Sequence, residues 1–244
     1  MALIAAMFVV AVGIFVSFFL SSSNQGDSYT ITLPGQGSAV IDTSLEIGES
    51  NRNQMQIISV DTNNIQAVIA SLQRPEQYQC QMEMTYFYKG TQTVLKSQLW
   101  KDGDLVRISQ QTAEEQTSQQ VLLTREWAYL WGEDGAYSRF VRQENDLDLY
   151  SRTPSYEDLV TMPREQLLVG EVREMDGQLC LYAETRDDMT GETEQWYVLV
   201  ENGLLLYAAG SLEGVSTYAS RMTGLQLALD DTAAFTLPDG SQPR

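Results

Sequence analysis

Hydrophobic and polar positions along this chain fall into three regimes. From Ala2 to Leu20 no charged residue occurs, and only Gly13 and Ser17 interrupt a run of aliphatic and aromatic side chains. As a helix rising about 1.5 Å per residue, that run nearly spans the roughly 30 Å of bilayer hydrocarbon. Residues 1–23 are therefore read as an N-terminal transmembrane anchor through residues 2–20. A cleaved signal peptide is the alternative, since Ser21, Ser22 and Ser23 supply small residues at the exit. Residues 24–53 are rich in Ser, Gly, Asn and acids and read as a flexible linker, the weak alternation from Tyr29 to Leu33 included. Residues 54–244 carry the strong periodicities and are expected to fold as one domain.

In that domain the first pattern is helical. Ile65, Val68, Ile69 and Leu72 fall at the spacing of one apolar stripe, with Thr62 as the expected N-cap and Pro75 as the stop. The β-branched stretch Met55 to Val60 is expected to pair with a later strand. Beyond Pro75 the period becomes two: Tyr78, Cys80, Met82, Met84, Tyr86 and Tyr88 alternate with Gln and Glu. Asp102-Gly103, Asp134-Gly135, Asp176-Gly177 and Asn202-Gly203 then punctuate short alternating runs, the signature of tight hairpins in an antiparallel meander. A short helix between Pro154 and Pro163 interrupts them. Strands are expected to resume over residues 167–174, 178–186, 194–200, 204–212 and 215–222. The expected class is α+β, a curved antiparallel sheet with helices against its concave side, preceded by the transmembrane helix.

Charge narrows the partners. Against 33 acids stand 15 bases, a formal charge of −18. Such a surface repels nucleic acid and anionic lipid headgroups, both of which are held by Lys and Arg clusters. The first basic residue is Arg52, and the absence of Lys and Arg from the 20 residues after Leu20 favours placing that side outside the cell membrane.

Catalytic chemistry is sparse. The chain has no histidine, which removes the usual general base, the Ser-His-Asp triad and the commonest zinc ligand. No metal site or cofactor motif is found, and the acids Asp187, Asp188, Glu192 and Glu194 around Thr190-Gly191 read as a solvated hairpin tip. The expectation is a protein that is not an enzyme. Cys80 and Cys180 leave two readings open, one disulfide in an oxidising exterior or two buried thiols. What remains is apolar surplus on strands. In a curved sheet, Met82, Met84, Tyr86, Trp100, Trp131 and Trp196 are the candidates to line a concave face around a hydrophobic ligand.

The run from Ile65 to Tyr86, the segment Asp176-Gly-Gln-Leu-Cys-Leu-Tyr followed by Glu194-Gln-Trp-Tyr-Val, Gly203-Leu-Leu-Leu, and the closing Phe235-Thr-Leu-Pro-Asp-Gly together resemble the LolA, LolB and RseB-like lipoprotein-carrier superfamily. The kinship expected within it is with the uncharacterised, membrane-anchored Gram-positive branch. The resemblance covers residues from about 60 to 240. It implies an open half-barrel sheet with helical lid elements, whose concave face receives acyl chains in carrier members. The resulting expectation is a membrane-tethered extracytoplasmic domain that binds a lipid or acyl chain. The alternative is a cell-envelope protein-interaction or regulatory module, related to sporulation or the wall, with a protein partner and no lipid ligand.

Overall fold

The computed structural model describes residues 30–33, 56–111, 117–142, 153–229 and 235–243. The expected anchor at 2–20 and most of the expected linker lie outside them. No helix among the described residues is long and apolar enough to cross a membrane.

Eleven strands form one antiparallel sheet. They are β3 (Gln77–Tyr88), β4 (Thr91–Asp102), β5 (Leu105–Gln111), β6 (Thr117–Leu123), β7 (Trp127–Trp131), β8 (Tyr137–Val141), β9 (Leu167–Met175), β10 (Gln178–Arg186), β11 (Thr193–Leu199), β12 (Leu205–Leu212) and β13 (Val215–Gln226). The spatial order is β8-β7-β6-β5-β4-β3-β13-β12-β11-β10-β9, so two meanders meet where β3 pairs with β13, and β8 and β9 are the outermost strands among the described residues. All four Asp-Gly and Asn-Gly signals fall in connections between consecutive strands, each glycine at positive φ. Register shifts at Glu184/Thr185, Tyr197/Val198, Gly210/Ser211 and Thr223/Gln226 mark bulges in four ladders. Bulges bend strands and add twist, consistent with a curved sheet.

Two short helices, α1 (Ile65–Ser71) and α2 (Tyr156–Thr161), pack on one face of the β9–β12 half. Ile65, Val68, Ile69 and Leu72, the predicted stripe, meet Leu159 of α2 and Val172, Leu181, Ala183, Trp196, Val198, Leu205 and Ala208 of the sheet. The loop entering α1 sits directly on the sheet: a Cβ on Gly170 would lie 2.8 Å from the carbonyl carbon of Asp61, so only glycine admits this approach.

Three local expectations are corrected. The N-cap of α1 is Asn64, not Thr62, because the Asp61 carboxylate accepts the Asn63 amide at 2.7 Å and its carbonyl oxygen accepts the amides of Asn64 and Ile65, so a turn takes up Thr62. Within the expected linker, Thr30–Leu33 forms strand β1, paired antiparallel with β2 (Gln56–Ser59). Backbone pairing outweighs the polar composition of that stretch. The partner of 56–59 is thereby an earlier strand rather than a later one.

Candidate functional site

Cross-strand partners share a face of a sheet, so the register decides where each candidate ligand-lining residue sits. Trp196 is opposite Ala208, Ala208 opposite Ser220, and Ser220 opposite Met84, which puts Trp196, Met84, Met82 and Tyr86 on the helix-bearing face. Trp100 is opposite Gln79 and Arg107, and Trp131 is opposite Gln120, whose neighbour Leu122 pairs with Arg107. Both indoles therefore lie on the other face. The six residues form two groups separated by the thickness of the sheet, not one lining.

Each group is engaged by the protein itself. Trp196 is 2% exposed beneath the helices and donates its indole N–H to Oγ1 of Thr185 at 3.3 Å. Met84 is buried, Met82 half-buried, and Tyr86 lies at the open end of the face. On the far face the Arg107 guanidinium is 5.9 Å from the Trp100 ring and 5.4 Å from the Trp131 ring. Its Nε and Nη2 donate to Oε1 of Gln120 at 3.1 and 3.0 Å. Phe235 and Leu237 close over this cluster with Leu122, Tyr129 and Trp131. Cation–π contacts and a fixed hydrogen-bond acceptor make this a built packing layer.

A concave site is found elsewhere, at the end of the sheet where β13 leaves β3. The ladder slips between Thr223 and Gln226, and Gly224 takes φ +60° in the bulge. A pocket of about 310 Å³ opens there, lined by Asp176, Gln178, Leu199, Leu206, Arg221, Met222, Thr223, Gly224 and Leu225. Leu199, Leu206 and Met222 form its apolar floor and are all buried. Arg221 pairs with Asp176 from the β9–β10 turn, setting charge at the rim. The signal present in the sequence is Gly224, a lone glycine inside a strand-like run, which marks a bulge.

Neither thiol is placed for chemistry. Cys80 and Cys180 are buried and unpaired with each other, so no disulfide joins them. Burial pushes the Cys80 thiol up to about 12 and, with Asp176 nearby, that of Cys180 up to about 11. Of the acids around Thr190-Gly191, Asp187 is committed to its own loop: Oδ1 accepts the amides of Thr190 and Met189, both at 2.7 Å, and these bonds hold its carboxyl below the usual range. Glu194 instead turns to the helix-bearing face, where burial raises its pKa while the Tyr218 and Thr185 hydroxyls hydrogen-bond its carboxylate.

No family model matches the chain, and no curated protein matches it. Solved structures do. An uncharacterised conserved protein from Thermus thermophilus is similar at TM-score 0.42 and 7% identity, over 67% of this chain and 83% of that one. A LolA superfamily protein from Nitrosomonas europaea is similar at TM-score 0.36 and 9% identity, over 72% and 97%. A putative outer membrane lipoprotein-sorting protein domain from Vibrio parahaemolyticus is similar at TM-score 0.31 and 13% identity, over 68% and 91%. The fold itself is defined by the strand register.

Proposed function

We propose that this chain is a non-enzymatic binding domain, tethered to the membrane by residues 2–20 with its folded part on the extracytoplasmic side, that takes an apolar ligand such as a lipid acyl chain. The observation that carries the reading is the pocket at the β13 bulge, an apolar floor of Leu199, Leu206 and Met222 inside a rim of Asp176, Gln178, Arg221 and Thr223. Its 310 Å³ is at the lower end of the range for ligand sites, suited to one chain rather than a whole lipid. The ligand thus moves from the broad sheet face, where Met84 and Trp196 are packed by the protein's own helices and strands, to the strand end. The lack of histidine and the raised thiol pKa values support a role without chemistry.

The test is native mass spectrometry and organic extraction of the purified full chain, with a fluorescent fatty acid as probe. Leu225→Asp in the pocket lining is expected to weaken probe binding about ten-fold, because it sets a carboxylate against the apolar chain and repels that of the fatty acid. Equal binding by the variant overturns the assignment to this pocket. A second reading, a protein-interaction module, is favoured by β8, the outermost strand on its side among the described residues, whose five residues are all exposed, Tyr137, Phe140 and Val141 among them. An extended partner segment would add a strand there. A stoichiometric protein in crosslinked membranes, with no extracted ligand, selects that reading.

A further inference from the structure

We propose that three neighbouring hairpin tips form a surface that rests on a bilayer of neutral, zwitterionic lipid, so that the sheet stands end-on to the membrane; this rests on the tether proposed above. The strand order β4-β3-β13-β12-β11-β10 brings three connections side by side at one end of the sheet. They are the β3–β4 turn at Lys89-Gly90, the β12–β13 turn at Glu213-Gly214, and the β10–β11 loop from Asp187 to Glu192. Each presents a large apolar side chain to solvent: Tyr88 is 68% exposed, Val215 70% and Met189 96%. Phe87 and Leu212 add exposed apolar surface beside them.

The tips are held in shape before any contact. Lys89, Gly90, Glu213 and Gly214 all have positive φ, the conformation of tight hairpin turns, and the Asp187 carboxylate fixes the third loop through the Met189 and Thr190 amides. Little ordering entropy is therefore lost on docking. A tyrosine with an apolar ring and a polar end suits the headgroup level of a bilayer. Charge selects the lipid. Lys89 on these connections and Arg186 at the end of β10 stand against Asp187, Asp188, Glu192 and Glu213, so the balance is acidic and an anionic leaflet repels it.

Thr30, the first described residue, lies near the same end. Thr30 pairs with Ser59, and the backbone at Asp61 rests on Gly170, which faces Ala183, three residues before the end of β10. The nine residues Ser21 to Tyr29 reach at most about 30 Å from the apolar segment to Thr30.

The experiment reconstitutes the full chain in phosphatidylcholine vesicles and places a fluorophore at Met189→Cys, Val215→Cys or Val141→Cys. Val141 is equally exposed at 68% but at the other end of its strand, and the native thiols are buried. Brominated lipid is expected to quench the first two probes by roughly half, as side chains in the outer ~10 Å of the bilayer are quenched, and to leave the third unchanged. Replacing part of the lipid with phosphatidylglycerol is expected to reduce the effect. A chain that does not float with vesicles overturns the tether, and this inference with it. A chain that floats with no quenching at the tips overturns this inference alone, as does tip protection that grows with protein-to-lipid ratio, which assigns the surface to a second copy.

Discussion

The hydroxyl of Tyr218 donates a 2.7 Å hydrogen bond to Oε1 of Glu194, holding a half-buried carboxylate on the helix-bearing face of the sheet. Burial raises the pKa of this carboxyl; Glu192 and Asp158 add to the rise, while the Tyr218 and Thr185 hydroxyls oppose it. A carboxyl whose pKa is higher in the fold than in the unfolded chain favours the fold only while protonated. Its unfavourable contribution therefore sets in as pH rises from the ordinary carboxylate range through the raised value. Glu194→Gln keeps an acceptor for Tyr218 and removes the charge. The variant is expected to melt higher than the parent at neutral pH, with the gap closing as pH falls toward about 4, the usual carboxylate value. Thermal unfolding of both proteins across pH checks this, and a gap that widens on acidification refutes it.

Gly170→Ala places a methyl group 2.8 Å from the Asp61 carbonyl carbon, a backbone atom with no rotamer to relieve the clash. The cost expected is about 1–3 kcal/mol, the range for overpacking a well-filled site. Chemical denaturation measures it, and Gly177→Ala is no control for sterics because its strain comes from φ +76°.

Burial predicts different costs for losing Trp196 and Trp100. Trp196→Ala empties a site that is 2% exposed and is expected to cost about 3–5 kcal/mol. Trp100→Ala removes a half-buried ring and a cation–π contact with Arg107, expected at about 1 kcal/mol. A reversed order in equilibrium unfolding contradicts the packing that buries Trp196 beneath the helices and leaves Trp100 half-buried.

The native protein is expected to resist thiol reagents. Two buried thiols with raised pKa present almost no thiolate at neutral pH. Titration is expected to find no fast-reacting thiol in the folded chain and two in denaturant, with the same electrophoretic mobility with and without reductant.

How much of this was legible in the sequence follows from what each pattern encodes. The alternation from Tyr78 to Tyr88 and the Asp-Gly and Asn-Gly turns locate strands because both are local signals. Alternation tells which residues of one strand share a face, and nothing about the next strand until the register is known. For that reason it groups Trp100 with Met82. The missing datum is the two-residue turn at Lys89-Gly90, which pairs Tyr88 with Thr91 and so sets Trp100 opposite Gln79 on the polar side of β3. The pocket is hidden for a related reason: it is formed by the bulge at Gly224 and the β9–β10 turn, brought together only by the sheet. The pairing of β3 with β13 has no local signature at all, since the two strands are separated by most of the domain.

That seam has a consequence for the order in which the domain is made. The first long strand of the sheet, β3, meets its second neighbour only when β13 has been synthesised and, if the chain is exported, has followed it across the membrane. Until then β3 presents an unsatisfied edge carrying Met82, Met84 and Tyr86, with β4 alone beside it. Loop closure over so long a separation is slow compared with hairpin formation. During biogenesis the seam, rather than either meander, is the step at which an escorting chaperone would matter most.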